Sequence, residues 1–92
     1  MVVGIMNMRL MIPGAHSLKE KRQALRSIKD RLRQFNVSVA EIDSQEYWQT
    51  AVLGICAVGN DRGYVEGLLD KAAGIARSCR QVELAKCEKE FV

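Results

Sequence analysis

The sequence predicts one α+β domain, residues 1–92, whose elements follow the order β-α-β-β-α-β. Two stretches, 2–12 and 51–59, have the alternating or continuous apolar pattern of strands that contact a core. Two other stretches, which begin near Ser17 and near Asn60, place apolar residues at the 3.6-residue period of a helix. A chain of 92 residues is long enough for one hydrophobic core and too short for two.

The first strand is predicted over residues 2–12 and ends at a turn. Its even-numbered positions are almost wholly apolar, whereas its odd-numbered positions include Asn7 and Arg9, as is typical of a strand with one face in the core. Pro13-Gly14 ends this strand, because proline lacks the N–H group that a ladder needs and glycine permits a tight turn.

The first helix is predicted to begin at a capping box formed by Ser17 and Glu20 and to extend to about Gln34. Its apolar residues fall in one narrow stripe at the helical period. They are Leu18, Leu25, Ile28, Leu32 and, at its end, Phe35. One side of this helix is therefore expected to pack on the sheet.

The middle of the chain predicts two strands. Residues 36–43 are rich in β-branched side chains and predict the second strand, and residues 44–49 form its polar connection to the third. The third strand, 51–59, is apolar on both faces and is expected at the centre of the sheet.

The second helix and the last strand complete the order. Asn60 or Asp61 caps the helix, and residues 81–90 form the strand, with Val82 and Leu84 as its apolar members. The core-facing residues of the helix are Val65, Leu68, Leu69, Ala72, Ile75 and Ala76. Right-handed crossovers place both helices on one face of a four-stranded antiparallel sheet, which is the ferredoxin-like arrangement.

The other face of this sheet is expected to lack a covering element. It carries Val3, Ile5, Met11 and one side of the third strand, all apolar. An uncovered apolar face is typical of an interface. We therefore expect a homo-oligomer, at least a dimer, formed through the sheet face or the edge strands.

Several classes of protein are disfavoured. The chain has no stretch of ~18 apolar residues and no basic leader, so we expect a cytoplasmic protein without a membrane partner. Cys56, Cys79 and Cys87 lack the spacing of a zinc site or a disulfide framework. The nucleophile elbow, the phosphate-binding loop and the dinucleotide fingerprint are absent. We expect no catalytic residue, metal or cofactor, and hence no enzyme.

Positive charge is concentrated on the first helix. Residues 17–34 carry seven basic and two acidic side chains, a net +5 in a chain of net +3. Five basic residues recur at intervals of three and four, which places them on one helical face. We call them the basic stripe: Lys19, Arg22, Arg26, Lys29 and Arg33.

Cations without interleaved anions repel one another, and phosphate groups relieve that repulsion. The basic stripe therefore predicts a surface for RNA or for an acidic protein partner. The alternative interpretation is a solvated face whose long side chains shield the edge of the core.

The turn before this helix is a second candidate for anion binding. Gly14, His16 and Ser17 precede a helix N-terminus, whose free N–H groups and positive dipole end attract anions. Lys21 falls on the apolar stripe by angle, and we expect it to point over the sheet edge toward this turn. His16 has no nucleophile or carboxylate partner nearby in the sequence, and is more typical of a local hydrogen-bonding residue.

Tyr47 and Trp48 lie between the second and third strands. If exposed, they would stack on a base or anchor a partner, whereas if buried they would close one end of the core, which we favour. Glu41, Asp43 and Glu46 lie nearby without metal-ligand spacing, and are expected to be solvated.

Two classes of domain with this topology suggest different functions. RNA-recognition motifs stack bases on aromatic residues of the first and third strands, which this sequence lacks, so any RNA contact is expected from the first helix. ACT domains, which sense amino acids, have a turn like Pro13-Gly14 after their first strand. A small-molecule-sensing module of that type, with its ligand at this loop across a dimer interface, is the alternative function, and a purely structural homo-oligomer is a third.

The stretch PGAHSLKEKR at 13–22, NVSVAE at 36–41 and then Trp48 resemble the YlxP-like family of small uncharacterised bacterial proteins, domain of unknown function 503. The resemblance covers about the first two-thirds of the chain. It implies a ferredoxin-like fold and no established activity. Genes of this family often neighbour those for translation initiation and ribosome maturation, which implies a role around ribosomes or RNA. Our leading hypothesis is a non-enzymatic accessory factor that binds RNA or the ribosome through the first helix.

Overall fold

A computed structural model describes residues 1–42 and 49–92 of the chain. Within these ranges the elements follow the predicted β-α-β-β-α-β order. They are β1 (Val2–Met11), α1 (Leu18–Leu32), β2 (Ser38–Glu41), β3 (Thr50–Gly59), α2 (Arg62–Ser78) and β4 (Glu83–Phe91). In the part of the chain so described, neither helix combines the length and apolar character needed to cross a membrane.

The strands form one antiparallel sheet in the order β2-β3-β1-β4. β1 and β3 pair along their whole length, from Val2 opposite Gly59 to Met11 opposite Thr50. The central position of β3 confirms the prediction from its two apolar faces. This order, with both helices on one face, confirms the ferredoxin-like arrangement.

The core lies between the sheet and the two helices. The even-numbered residues of β1 from Met6 to Leu10 are fully buried, as the alternation predicted. Further fully or almost fully buried apolar residues come from β3, α1 and α2: Ala51, Leu53, Ile55, Ala57, Ala24, Leu25, Ile28, Leu32, Val65, Leu69, Ala72, Ala73 and Ala76. Both predicted helical stripes are therefore confirmed as the core-facing sides.

Several element boundaries differ from the prediction, and the larger shifts occur beside turns. α1 ends at Leu32, and the Gln34 N–H donates to the Arg31 carbonyl in a tighter turn. The Val37 N–H donates to the Phe35 carbonyl, so β2 begins only at Ser38 and is shorter than predicted. Val82 was predicted within the last strand, but it precedes β4 and is buried there at 5% exposure.

Gly4 allows α2 to pack closely on β1. A Cβ atom at this position would lie 2.6 Å from Val65 Cγ1 and 2.9 Å from Leu69 Cδ1. Both neighbours are fully buried, so they have little room to move.

We expect Gly4→Ala to lower the free energy of unfolding by about 1–3 kcal/mol, because the added methyl group overpacks this contact. Gly67→Ala in α2 is the matched control, since a Cβ there meets no atom within 4 Å. That control should raise the stability by up to about 1 kcal/mol through helix propensity. Urea denaturation measures both, and two changes of the same sign would contradict the proposed close packing.

Candidate functional site

The outer side of α1 presents a row of exposed cations. Lys19, Arg22, Arg26 and Arg33 are exposed. In the part of the chain that the structure describes, no carboxylate lies within 4.0 Å of their charged nitrogens. The opposite side of the helix is held in the core by Leu25 and Ile28. Four residues of the basic stripe therefore face solvent from a helix that is fixed on the sheet.

A shallow depression of about 290 Å³ runs along this surface. It is lined by Arg22, Leu25, Arg26, Lys29, Asp30, Arg33 and Glu41. Three of its four cations are arginines, whose planar guanidinium groups suit paired hydrogen bonds to phosphate oxygens. The depression thus combines a concave shape with donors for an anionic backbone.

Beneath this surface, two lysines share one carboxylate. Lys21 is 2% exposed, and its Nζ lies 3.5 Å from Glu41 Oε2. The Nζ of Lys29, whose side chain is 22% exposed, lies 3.6 Å from Glu41 Oε1. Glu41 ends β2 opposite Leu53, on the side of the sheet that faces the helices, and its side chain is 15% exposed.

This arrangement corrects two expectations. Lys21 was expected to point toward the turn before α1 and to offer a positive charge there, but it is buried and paired with Glu41. Glu41 was expected to be solvated, but its alternation with Val39 along β2 turns it toward α1. Lys29 also contributes less free charge than its position in the stripe suggested, because it shares that carboxylate.

The N-terminus of α1 is occupied by a carboxylate of the chain itself. The Glu20 N–H donates to Ser17 Oγ at 3.2 Å, and Ser17 Oγ donates to Glu20 Oε2 at 3.3 Å. The His16 N–H donates to the same Oε2 at 3.1 Å, so Ser17 caps the helix as predicted, while Glu20 reaches back to the N–H one residue before the cap. Gly14 and His16 are exposed beside it. A further anion at this end would meet the negative charge of Glu20, which argues against the predicted anion site.

A second cleft, of about 260 Å³, lies between this turn and the segment before β4. It is lined in part by Pro13, Gly14, Glu20 and Arg80. This is where the ACT-type interpretation places a small molecule. The Glu20 carboxylate is already engaged in the cap, so Arg80 is the charged side chain that remains for a ligand.

The acidic residues of α2 are paired away from the basic stripe. Lys89 Nζ donates to Asp70 Oδ1 at 2.8 Å and to Glu66 Oε2 at 3.3 Å. The hydrogen bond to Asp70, followed by the one to Glu66, raises the pKa of the Lys89 ammonium. These carboxylates therefore have a cation of their own and do not neutralise α1.

Four of the candidate residues lie outside the described residues: Tyr47, Trp48, Asp43 and Glu46. Burial raises the pKa of the Cys87 thiol, which makes that thiol a poorer nucleophile at neutral pH. Within residues 1–42 and 49–92, no three His, Cys, Asp or Glu side chains are grouped as metal ligands.

Two contacts beside α1 have no signal in the sequence. Arg31, a basic residue outside the stripe, donates from Nη2 to Ser78 Oγ of α2 at 3.2 Å. Lys71 lies over the ring of Phe35 at 4.5 Å from its centroid. Helical spacing shows that Arg31 does not belong to the basic stripe. Its partner Ser78 is 47 residues away, so only the fold brings the two side chains together.

A family model described as "Protein of unknown function (DUF503)" matches residues 3–89 of the chain. The uncharacterized protein YlxP of Bacillus subtilis (strain 168) is 36% identical over 83 residues. Those residues are 89% of this chain and 90% of the Bacillus protein. The likeness therefore extends through the second helix and into the last strand.

Solved structures share the fold at low identity. A C-terminal segment of the alpha subunit of aIF2 from Pyrococcus abyssi has a TM-score of 0.55 and 20% identity, over 99% of this chain and 49% of that one, so this chain spans about half of it. The de novo designed protein Foldit4 has a TM-score of 0.58 and 12% identity, over 100% and 97% of the two chains. A mutant of SnoaB, a cofactor-independent oxygenase from Streptomyces nogalater, has a TM-score of 0.55 and 16% identity, over 99% and 90%. These likenesses show the fold alone.

Proposed function

Since the chain belongs to the DUF503 family of proteins of unknown function, we propose from its surface that it is a non-enzymatic accessory factor that binds RNA, including the RNA surface of the ribosome. The observation that carries this proposal is the exposed row of Lys19, Arg22, Arg26 and Arg33. These cations lack a carboxylate within 4.0 Å among the described residues and border a depression on one side of α1.

The spacing of the basic stripe suits a chain of phosphates. Successive cations three or four residues apart rise about 4.5–6 Å along the helix axis, so the stripe from Lys19 to Arg33 extends about 21 Å. A row of this length follows several consecutive phosphates of one strand. A single small anion would use only one or two of these cations.

Arginine content favours RNA over an acidic protein partner. Arg22, Arg26 and Arg33 each offer a planar fork of donors, which binds phosphate and carboxylate alike but also stacks on unpaired bases, which an acidic protein does not offer. β1 and β3 contain no aromatic residue, so the face of the sheet opposite the helices lacks the aromatic platform of RNA-recognition motifs. Contacts from α1 would therefore read the shape and charge of the RNA more than its sequence.

The salt dependence of binding to a short structured RNA tests this proposal. Four phosphate contacts would give a slope of about −3 to −4 in a plot of log K against log salt concentration. Fluorescence anisotropy with a labelled ribosomal hairpin at several salt concentrations measures this slope. A slope near zero, or no binding at low salt, would contradict the proposal and favour the small-molecule-sensing alternative at the cleft beside Pro13-Gly14.

A further inference from the structure

The face of the sheet opposite the helices is largely apolar. The odd-numbered residues of β1 and the even-numbered residues of β3 point to this side, since their neighbours in the sequence are buried under the helices. Ile42 and Val58 are 55% and 45% exposed. Apolar side chains on this face come from three segments: Val3, Ile5, Met11, Ile42, Val52 and Val58.

Five charged residues lie on this face: Arg9, Lys86 and Glu83 toward one end, and Glu88 and Glu90 from the middle toward the other. Arg9 of β1 lies opposite Lys86 of β4, near one end of the sheet. Glu88 lies opposite Asn7, and Glu90 follows toward the other end. All five charged side chains are exposed, and the only ion pair among them within the described residues is a loose one of 3.9 Å from Lys86 Nζ to Glu88 Oε1.

We propose that this face binds the same face of a second copy of the chain. The twofold axis would run between the two sheets, parallel to their planes and perpendicular to the strands. Each strand then lies over the same strand of the other copy and runs in the opposite direction. With the axis near Asn7, Lys86 of one copy lies over Glu90 of the other, and the symmetry makes this contact twice, whereas Glu88 is opposite Asn7 and lies near the axis itself. The charges on either side of the axis in β4 are thus complementary to each other.

The same twofold rotation places apolar residues of the two copies against each other. Asn7 and Gly54 are paired at the middle of β1 and β3, so the axis passes near them. Along each strand, a residue of one copy lies over the residue of the other copy that is equally far from the axis on its other side. Met11 of one copy therefore faces Val3 of the other. In β3 the same rotation sets Val52 against Cys56, so aliphatic and small side chains meet at the centre of the interface.

The area of the face reaches the lower limit for a specific interface. β1 and β3 have ten residues each, which is about 33 Å of strand. Four strands spaced about 4.8 Å apart are about 15 Å wide between the outer axes. Measured as a flat rectangle, the face would give a total of about 1,000 Å² buried by the two copies, which is the smallest area expected of a specific interface.

The dimer leaves α1 of each copy on the outside. Its two basic stripes would lie on opposite sides of the assembly, both open to RNA. The dimer does not depend on RNA binding, because its contacts come from β1, β3 and β4 and not from α1.

A reciprocal charge-reversal experiment tests the interface. One variant carries Arg9→Glu and Lys86→Glu, and the other carries Glu88→Lys and Glu90→Lys. Each variant alone would set like charges against each other, so we expect its dimer to dissociate about 100-fold more readily than that of the wild type. An equimolar mixture of the two should restore a dimer, because the negative face of one then meets the positive face of the other.

Analytical ultracentrifugation at micromolar concentration measures all four samples. Recovery of the dimer in the mixture shows that both variants are folded, so the loss in each alone reflects the interface. A monomeric wild type, variants that dimerise as the wild type does, or a mixture that stays monomeric would each overturn the proposal.

Discussion

The double substitution Arg22→Glu and Arg26→Glu should weaken the binding of a short RNA hairpin by about 100-fold at low salt. Each arginine is expected to make charge-assisted hydrogen bonds to phosphate, and each glutamate adds repulsion in their place. The slope of log K against log salt concentration should also become shallower by about 1.4–1.8, since two phosphate contacts are lost. Fluorescence anisotropy over a range of salt concentrations measures both quantities.

The control for this variant is Arg9→Glu with Lys86→Glu. It makes the same change in net charge, but on the open face of the sheet, away from α1. The RNA hairpin should be long enough to bind only one copy of the protein. The basic stripe of the second copy in a dimer then makes no contribution to the affinity. If the control lost as much affinity as the stripe variant, binding would depend on overall charge and not on the basic stripe.

The two pairs of substitutions also separate the two proposals. The stripe variant should keep the dimer and lose RNA, whereas the open-face variant should lose the dimer and keep RNA. Neither result requires the other, because the residues lie on opposite sides of the sheet. A failure of one proposal is therefore distinguishable from a failure of the other.

Loss of folding does not account for the expected loss of RNA binding. Arg22 and Arg26 are exposed and four residues apart, so in the natural sequence they repel each other slightly. Glutamates at positions 22 and 26 would each lie three residues from a lysine, Lys19 or Lys29. New pairs of opposite charge on one helical face offset the substitutions, and the variant should melt at a temperature close to that of the wild type.

Hydrophobic periodicity was enough to predict the order of the elements, because strands and helices bury different periods of side chains. The central position of β3 was predicted for the same reason. The ends of β2 and the place of Val82 were not, since turn hydrogen bonds such as Val37 to Phe35 decide them. Those bonds compete with the sheet over one or two residues, where the apolar pattern carries little information.

The candidate site was predicted in part. Helical spacing located the basic stripe, and it also placed Lys21 on the apolar side of α1, where it is buried. Its partner Glu41 is twenty residues away on another element, and no local pattern joins the two. The period of two along β2 was the signal that could have found Glu41, because Val39 and Glu41 share the side that faces the helices.

The fold itself gives no argument for RNA binding. A designed protein and an oxygenase share it, so the arrangement of strands and helices accommodates chains of different kinds. What distinguishes this chain is how its charges are distributed over the two layers. Cations without nearby carboxylates lie on α1, whereas those on the open face of the sheet are balanced by Glu88 and Glu90.

The substitution Glu41→Gln should lower the free energy of unfolding by about 3 kcal/mol. Lys21 is almost fully buried, and this substitution removes the carboxylate charge 3.5 Å from its Nζ, so the buried ammonium has one ion pair fewer to offset its desolvation. For a domain of this size, that loss corresponds to a fall in melting temperature of about 12 °C or more. Thermal and urea denaturation, followed by circular dichroism, measure the change.

Removal of both charges is the decisive comparison. Lys21→Met combined with Glu41→Gln takes away the ammonium as well as the carboxylate, so most of the lost stability should return. Lys29→Met is the control, because this side chain shares the same carboxylate but is partly exposed, and it should cost less than about 1 kcal/mol. A double variant as unstable as Glu41→Gln alone would mean that Glu41 stabilises β2 by some other contact than the pair with Lys21. Recovery in the double variant would show that the pair attaches α1 to the edge of the sheet, which keeps the basic stripe directed outward.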